Sequence, residues 1–73
     1  MSAEVEVVEL WREPRVVASV GLARSTIWAL VKQGEFPAPV LIHDGGRAVG
    51  WSSLAVQGWI HSRIAAARAK AAA

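Results

Sequence analysis

The chain has 73 residues, a formal net charge of +2 and no cysteine, which supports one thin-cored domain and excludes disulfide frameworks and thiolate metal sites. No apolar run approaches the roughly 20 residues that span a bilayer, and the acidic start "MSAEVEVVEL" lacks the basic flank of a secretory signal, so export is not expected. Glu4, Glu6 and Glu9 are the only charges in the first nine residues, so the remainder holds eight basic against three acidic side chains, a net of +5 that favours an anionic partner, nucleic acid ahead of a membrane.

"EVEVVEL" alternates well enough for a short strand, though a fraying terminus fits equally, and residues 1–9 are set apart as a strand or flexible arm. "REPRVVASVGL" reads as a short helix. Pro14 suits the first turn, where a missing N–H costs nothing; Val16, Val17 and Val20 supply an apolar face, and Gly21 fits the left-handed closing position. Trp11 covers the bottom of that helix or serves a protein partner. A second helix is expected from about Arg24 to Gln33. Helical spacing puts Ile27, Leu30, Val31 and Gly34 on one side, Ser25, Ala29 and Lys32 on the other, and Trp28 at the edge. Gly34 is a good terminator, and Pro37 and Pro39 forbid continuation. Two helices joined by a three-residue turn containing glycine make a helix-turn-helix.

"PVLIHDGGRAVGW" places two strand-forming runs around Asp-Gly-Gly, the pattern of a β-hairpin, with Arg47 opening the return strand. Ser52 can then cap a third helix through "SLAVQGWIHSRIAAARA", with Val56, Trp59, Ile60, Ile64 and Ala67 as its buried stripe. Trp51 and Trp59 are expected in the core. The fold class is therefore mainly α with a small β-hairpin, a winged helix-turn-helix over residues 10–66. The Ala-rich tail, 67–73, is left as helical or disordered, since alanine favours helix but nothing there packs.

The blocks "GLARSTIWALVKQGEFPAPV", "GGRAVGW" and "VQGWI" resemble those of the AlpA-like regulators and small phage-type excisionases, compact winged helix-turn-helix proteins related to the MerR type. The resemblance spans roughly residues 10–66 with the blocks in the expected order. It implies that the second helix enters the major groove and that the hairpin wing touches backbone or minor groove. It also implies a cytoplasmic protein of a bacterium, phage or mobile element that directs recombination, regulates integrase genes, or does both. Two positions depart from the pattern. Ala23 stands where the family commonly has a capping Ser, at a cost of about 1 kcal/mol. Ala29 follows Trp28 where an Arg often follows the aromatic, which removes one phosphate contact.

Arg24, Ser25 and Thr26 fall at the start of the second helix, where unpaired N–H groups and the helix dipole favour a phosphate and where recognition helices reach bases. Arg24 can fork onto guanine, Ser25 and Thr26 can bond base or phosphate, and Lys32 suits the backbone. Trp28 reads two ways, as a contact to a thymine methyl or sugar and as a filler at the seam with the wing. Arg47 beside Gly45 and Gly46 can meet a phosphate or the minor groove, or balance Asp44. His43 and His61 lie on different elements without a third ligand, so neither metal nor cofactor is expected. No catalytic constellation is present, and the chain is too small for a typical substrate pocket, so an enzyme is not expected.

The expected partner is double-stranded DNA, with an integrase as a further candidate and cooperative self-association along the duplex. Leu54, Trp11 and the alternating N-terminal segment are the surfaces for that assembly. The alternative is a protein-interaction module that binds an integrase or transcription component through a tryptophan-rich surface.

Overall fold

The computed structural model describes residues 8–72. In chain order these form β1 (Leu10–Trp11), α1 (Glu13–Val20), α2 (Arg24–Lys32), β2 (Val40–Leu41), β3 (Val49–Ser52) and α3 (Ser53–Ala72). The architecture is mainly helical with a small antiparallel sheet, compatible with a winged helix-turn-helix.

Local chemistry accounts for the helix boundaries. Pro14 sits in the first turn of α1, and Gly21, at φ 74°, ends it by donating its N–H to the Val17 carbonyl. Left-handed backbone of this kind strains any residue with a Cβ. α2 begins after Ala23, which has the extended backbone of an N-cap but no side-chain oxygen to act as one. Its other end closes as a Schellman motif. Gly34 donates to Val31 O at 3.0 Å and Glu35 to Leu30 O at 2.8 Å. Ser52 does cap α3, its Oγ accepting the Ala55 N–H at 3.3 Å.

The sheet is larger than the expected hairpin. β2 pairs antiparallel with β3, Val40 opposite Gly50 and Leu41 opposite Val49. β1 adds a third strand on the other side of β3, Leu10 opposite Ser52 and Trp11 opposite Trp51. Ser53 fastens it: its N–H donates to Glu9 O at 2.8 Å, and its Oγ accepts the Glu9 N–H at 2.9 Å. That exchange explains why a serine hydroxyl can be only 2% exposed. Residues 4–7 of the alternating segment 4–10 that suggested a strand lie outside the described residues.

The core consists of Trp11, Val16, Ile27, Phe36, Trp51 and Val56, with Val17, Val20, Leu22, Leu30, Val31, Trp59 and Ile60 packed against it. β1, β3 and the three helices each contribute one buried anchor and the α2–β2 connection contributes Phe36, whereas β2 is exposed; each fully buried aliphatic side chain is worth about 1.5–3 kcal/mol. Every tryptophan indole N–H has an acceptor. Trp11 donates to Glu9 Oε1 at 2.7 Å, Trp51 to Pro37 O at 2.8 Å, Trp59 to Glu35 O at 2.8 Å and Trp28 to Glu13. Two of these bonds pin the backbone of the α2–β2 connection, while Phe36 meets Trp59 edge to face at 4.9 Å.

Two expectations need correction. The buried stripe of α3 stops at Ile60: Ile64 is 43% exposed and Ala67 is exposed, because no other element runs alongside that part of the helix. Beyond it α3 continues as an exposed helix to Ala72, supported by alanine propensity. Trp11 is 8% exposed, with the Arg15 guanidinium 4.4 Å from its ring. It is a core residue and not a surface for a neighbour.

Candidate nucleic-acid interface

Position along α2 decides which residues face outward. Ile27 is fully buried, Leu30 and Val31 are half-buried, and Arg24, Ser25, Thr26, Trp28, Ala29 and Lys32 are exposed. The period of 3.6 residues that sends Ile27 into the core leaves those side chains on the opposite arc. Arg24, Ser25 and Thr26 occupy the first turn, which carries no acidic residue and no side-chain cap. Its amides therefore have no capping side chain, and no acid in that turn offsets the positive end of the helix dipole.

Glu13, which the sequence reading did not single out, joins this face from α1. Its Oε1 lies 3.2 Å from Arg24 Nε, and its Oε2 accepts the Trp28 indole N–H at 2.5 Å. Arg24 nevertheless keeps 74% of its side-chain surface exposed, against 27% for Glu13. A signal existed: Glu13 is the only acid between Leu10 and Gly34, and an isolated carboxylate in a cationic stretch invites a partner.

Trp28 has features of both readings. Its ring meets Trp51 edge to face, 5.3 Å between centroids at 63°, which makes it part of the seam between α2 and the sheet. It remains 38% exposed, and with the N–H engaged its accessible surface is apolar. Lys32 is exposed in the last turn of α2, where a cation also complements the helix dipole.

Arg47 is exposed in the connection between β2 and β3. Gly45 at φ 80° supplies the left-handed residue of that turn, and Gly46 N–H reaches His43 O at 3.3 Å. The His43 imidazole lies over Gly46, where a Cβ would collide with it. Among the described residues the one ion pair is Arg24–Glu13, so Asp44 does not engage Arg47. The structure thus brings Arg24, Ser25, Thr26 and Trp28 onto one end of α2, while Lys32 and Arg47 stand on separate parts of the fold.

Among the described residues no three His, Cys, Asp or Glu side chains gather as a metal site requires, and no helix is long and apolar enough to cross a membrane. An open cleft of about 350 Å³ is lined by Leu22, Leu30, Glu35, Trp59 and Arg63. The tryptophan-rich surface expected of an interaction module is small: Trp11 and Trp51 are buried, Trp59 is half-buried, and Trp28 alone is exposed.

No solved structure matches the chain significantly. A protein of Enterobacteria phage P4, "Uncharacterized protein ORF88", is 44% identical over 54 residues, which cover 74% of this chain and 59% of that protein. The chain therefore spans less than two thirds of that relative. The family model described as "Prophage CP4-57 regulatory protein (AlpA)" matches residues 9–64, from the start of the sheet to the exposed part of α3. The chain belongs to the AlpA family of phage regulatory proteins.

Proposed function

We propose that this protein binds double-stranded DNA sequence-specifically and regulates a mobile genetic element, as an excisionase (recombination directionality factor) or as a transcriptional regulator. The first turn of α2 enters the major groove. Arg24 forks onto guanine, Ser25 and Thr26 bond base or phosphate, and the apolar rim of Trp28 meets a thymine methyl or a sugar. Lys32 and Arg47 hold phosphates, the latter from the wing. The observation that carries this reading is the exposed, uncapped first turn of α2, from which Arg24 projects, in a chain of a phage regulatory family.

Excision and transcriptional control begin with the same complex. A single module of this kind covers about 600–1,000 Å² of its surface on DNA, little for regulation by one copy. Several copies therefore occupy adjacent sites and bend the duplex. Leu54, 41% exposed, remains available for contact between them. In excision the protein partner is an integrase. The work takes place in the cytoplasm and requires no cofactor.

The test is a salt titration with duplex from the flanks of the gene itself. Each phosphate contact adds about −0.9 to the log–log slope. Arg24→Ala should relax preference at about one base, at about 1–3 kcal/mol, and Lys32→Ala should weaken all sequences alike. Indifference to every duplex at low ionic strength overturns the reading.

A further inference from the structure

We infer that Glu13 is the positioning residue of the reading face: one carboxylate on α1 orients both Arg24 and Trp28 of α2, and so governs which bases are discriminated without itself touching DNA. The inference rests on the DNA-binding reading above and deepens it.

A glutamate in the first turn of a helix has an ordinary role, complementing the positive end of the dipole. That role needs only the charge. Here both oxygens are committed elsewhere, Oε1 to Arg24 Nε at 3.2 Å and Oε2 to Trp28 Nε1 at 2.5 Å. Arg24 and Trp28 are four residues apart, one turn along the same face of α2. An ion pair this exposed contributes little to stability. Its effect is to hold two rotatable side chains in place before DNA arrives, which lowers the ordering cost of binding.

The geometry also selects how each side chain reads. A guanidinium has five N–H donors in a planar fork. Engaging Nε–H occupies one edge and leaves the two terminal nitrogens, the pair that matches guanine O6 and N7 end-on. Engaging the indole N–H removes the polar donor of Trp28, so its exposed rim discriminates by apolar contact.

A carboxylate beside a polyanion opposes approach of any duplex. Removing its charge should therefore raise general affinity while lowering discrimination. A purely structural residue would lower both.

The experiment uses a randomised duplex pool, from which the wild type, E13Q, R24A and the double variant each select binding sites. Affinity for one fixed, unrelated duplex is measured alongside. E13Q should lose preference at the base position that R24A loses, with a drop of about tenfold in the selected-to-unrelated ratio, the order expected for one bidentate base contact. Binding to the unrelated duplex should equal or exceed that of the wild type, and the double variant should discriminate no worse than R24A. Indole 15N–1H spectra of E13Q should keep their dispersion and shift one of the four tryptophan N–H signals. E13Q selecting the wild-type sequence overturns the inference and leaves DNA binding intact. So does a parallel loss of specific and unrelated binding with several indole signals displaced. A wild type that retains no duplex overturns the DNA-binding reading first, and the inference with it.

Discussion

At its C-terminal end α2 is closed by Gly34 at φ 77° and by the paired bonds from Gly34 and Glu35 to Val31 and Leu30. The chain then runs straight into buried Phe36, with the Glu35 and Pro37 carbonyls held by Trp59 and Trp51. At its N-terminal end the same helix starts from an alanine that cannot cap, and exposes an arginine, a serine and a threonine. Its one tie there, from Glu13, reaches side chains and leaves the first-turn amides uncapped. Helix ends carry four orphan donors or acceptors each. One end satisfies two of its orphan carbonyls within the chain and is bound into the core; the other has no side-chain cap. The packing that holds the helix and the proposed DNA contact thus fall at opposite ends of a nine-residue helix.

The strongest way to break this contrast is at the closed end. Trp51 is fully buried, meets Trp28 edge to face and donates to Pro37 O. Trp51→Ala should cost about 3–5 kcal/mol, a large part of the total stability of about 5–15 kcal/mol for a small domain. Thermal unfolding followed by circular dichroism should show a midpoint lowered by about 12–40 °C. A variant that retains a cooperative transition within a few degrees of the wild type would remove Trp51 from the centre of the fold. Gly34→Ala acts at the same end with smaller effect. A Cβ there meets nothing within 4 Å, so the penalty is the left-handed backbone alone, about 1–2 kcal/mol. Urea unfolding should give a lower midpoint with an unchanged slope.

These two ends were not equally legible in the sequence. The stops at Gly21 and Gly34, the Pro14 turn, the Asp-Gly-Gly turn and the Ser52 cap are local signals, set by residues within a few positions of the bond they make. Ala23 as a missing cap was legible for the same reason. The pairing of Leu10 with Ser52 joins positions more than forty apart, and no local pattern encodes it. Glu13 was missed for a related reason: its partners lie across a turn on another helix, 15 residues away in the case of Trp28. The stripe on α3 was extended too far because periodicity tells which face of a helix is apolar and not where its cover ends. The tryptophans divided along the same line. Trp51 and Trp59 sit in strand and helix patterns that point inward, whereas Trp11 lies just ahead of a helix and its burial depends on the β1–β3 pairing.

The smallest change sharpens the comparison most, because it closes the open end. Ala23 has φ −65° and ψ 152°, the backbone that a capping serine adopts, so Ala23→Ser introduces an acceptor for a first-turn amide without rearrangement. The gain should be about 1 kcal/mol, which for a domain of this size raises Tm by about 4–8 °C. A serine hydroxyl takes one amide and leaves the others free, so affinity for a selected duplex should stay within about twofold if Arg24 and the remaining amides dominate the contact. A rise in Tm matched by a proportionate loss of affinity would instead mean that the capped amide had been facing a phosphate. An unchanged Tm would mean that the first turn of α2 already finds its acceptors elsewhere, and the opposition between the two ends would lose its physical basis.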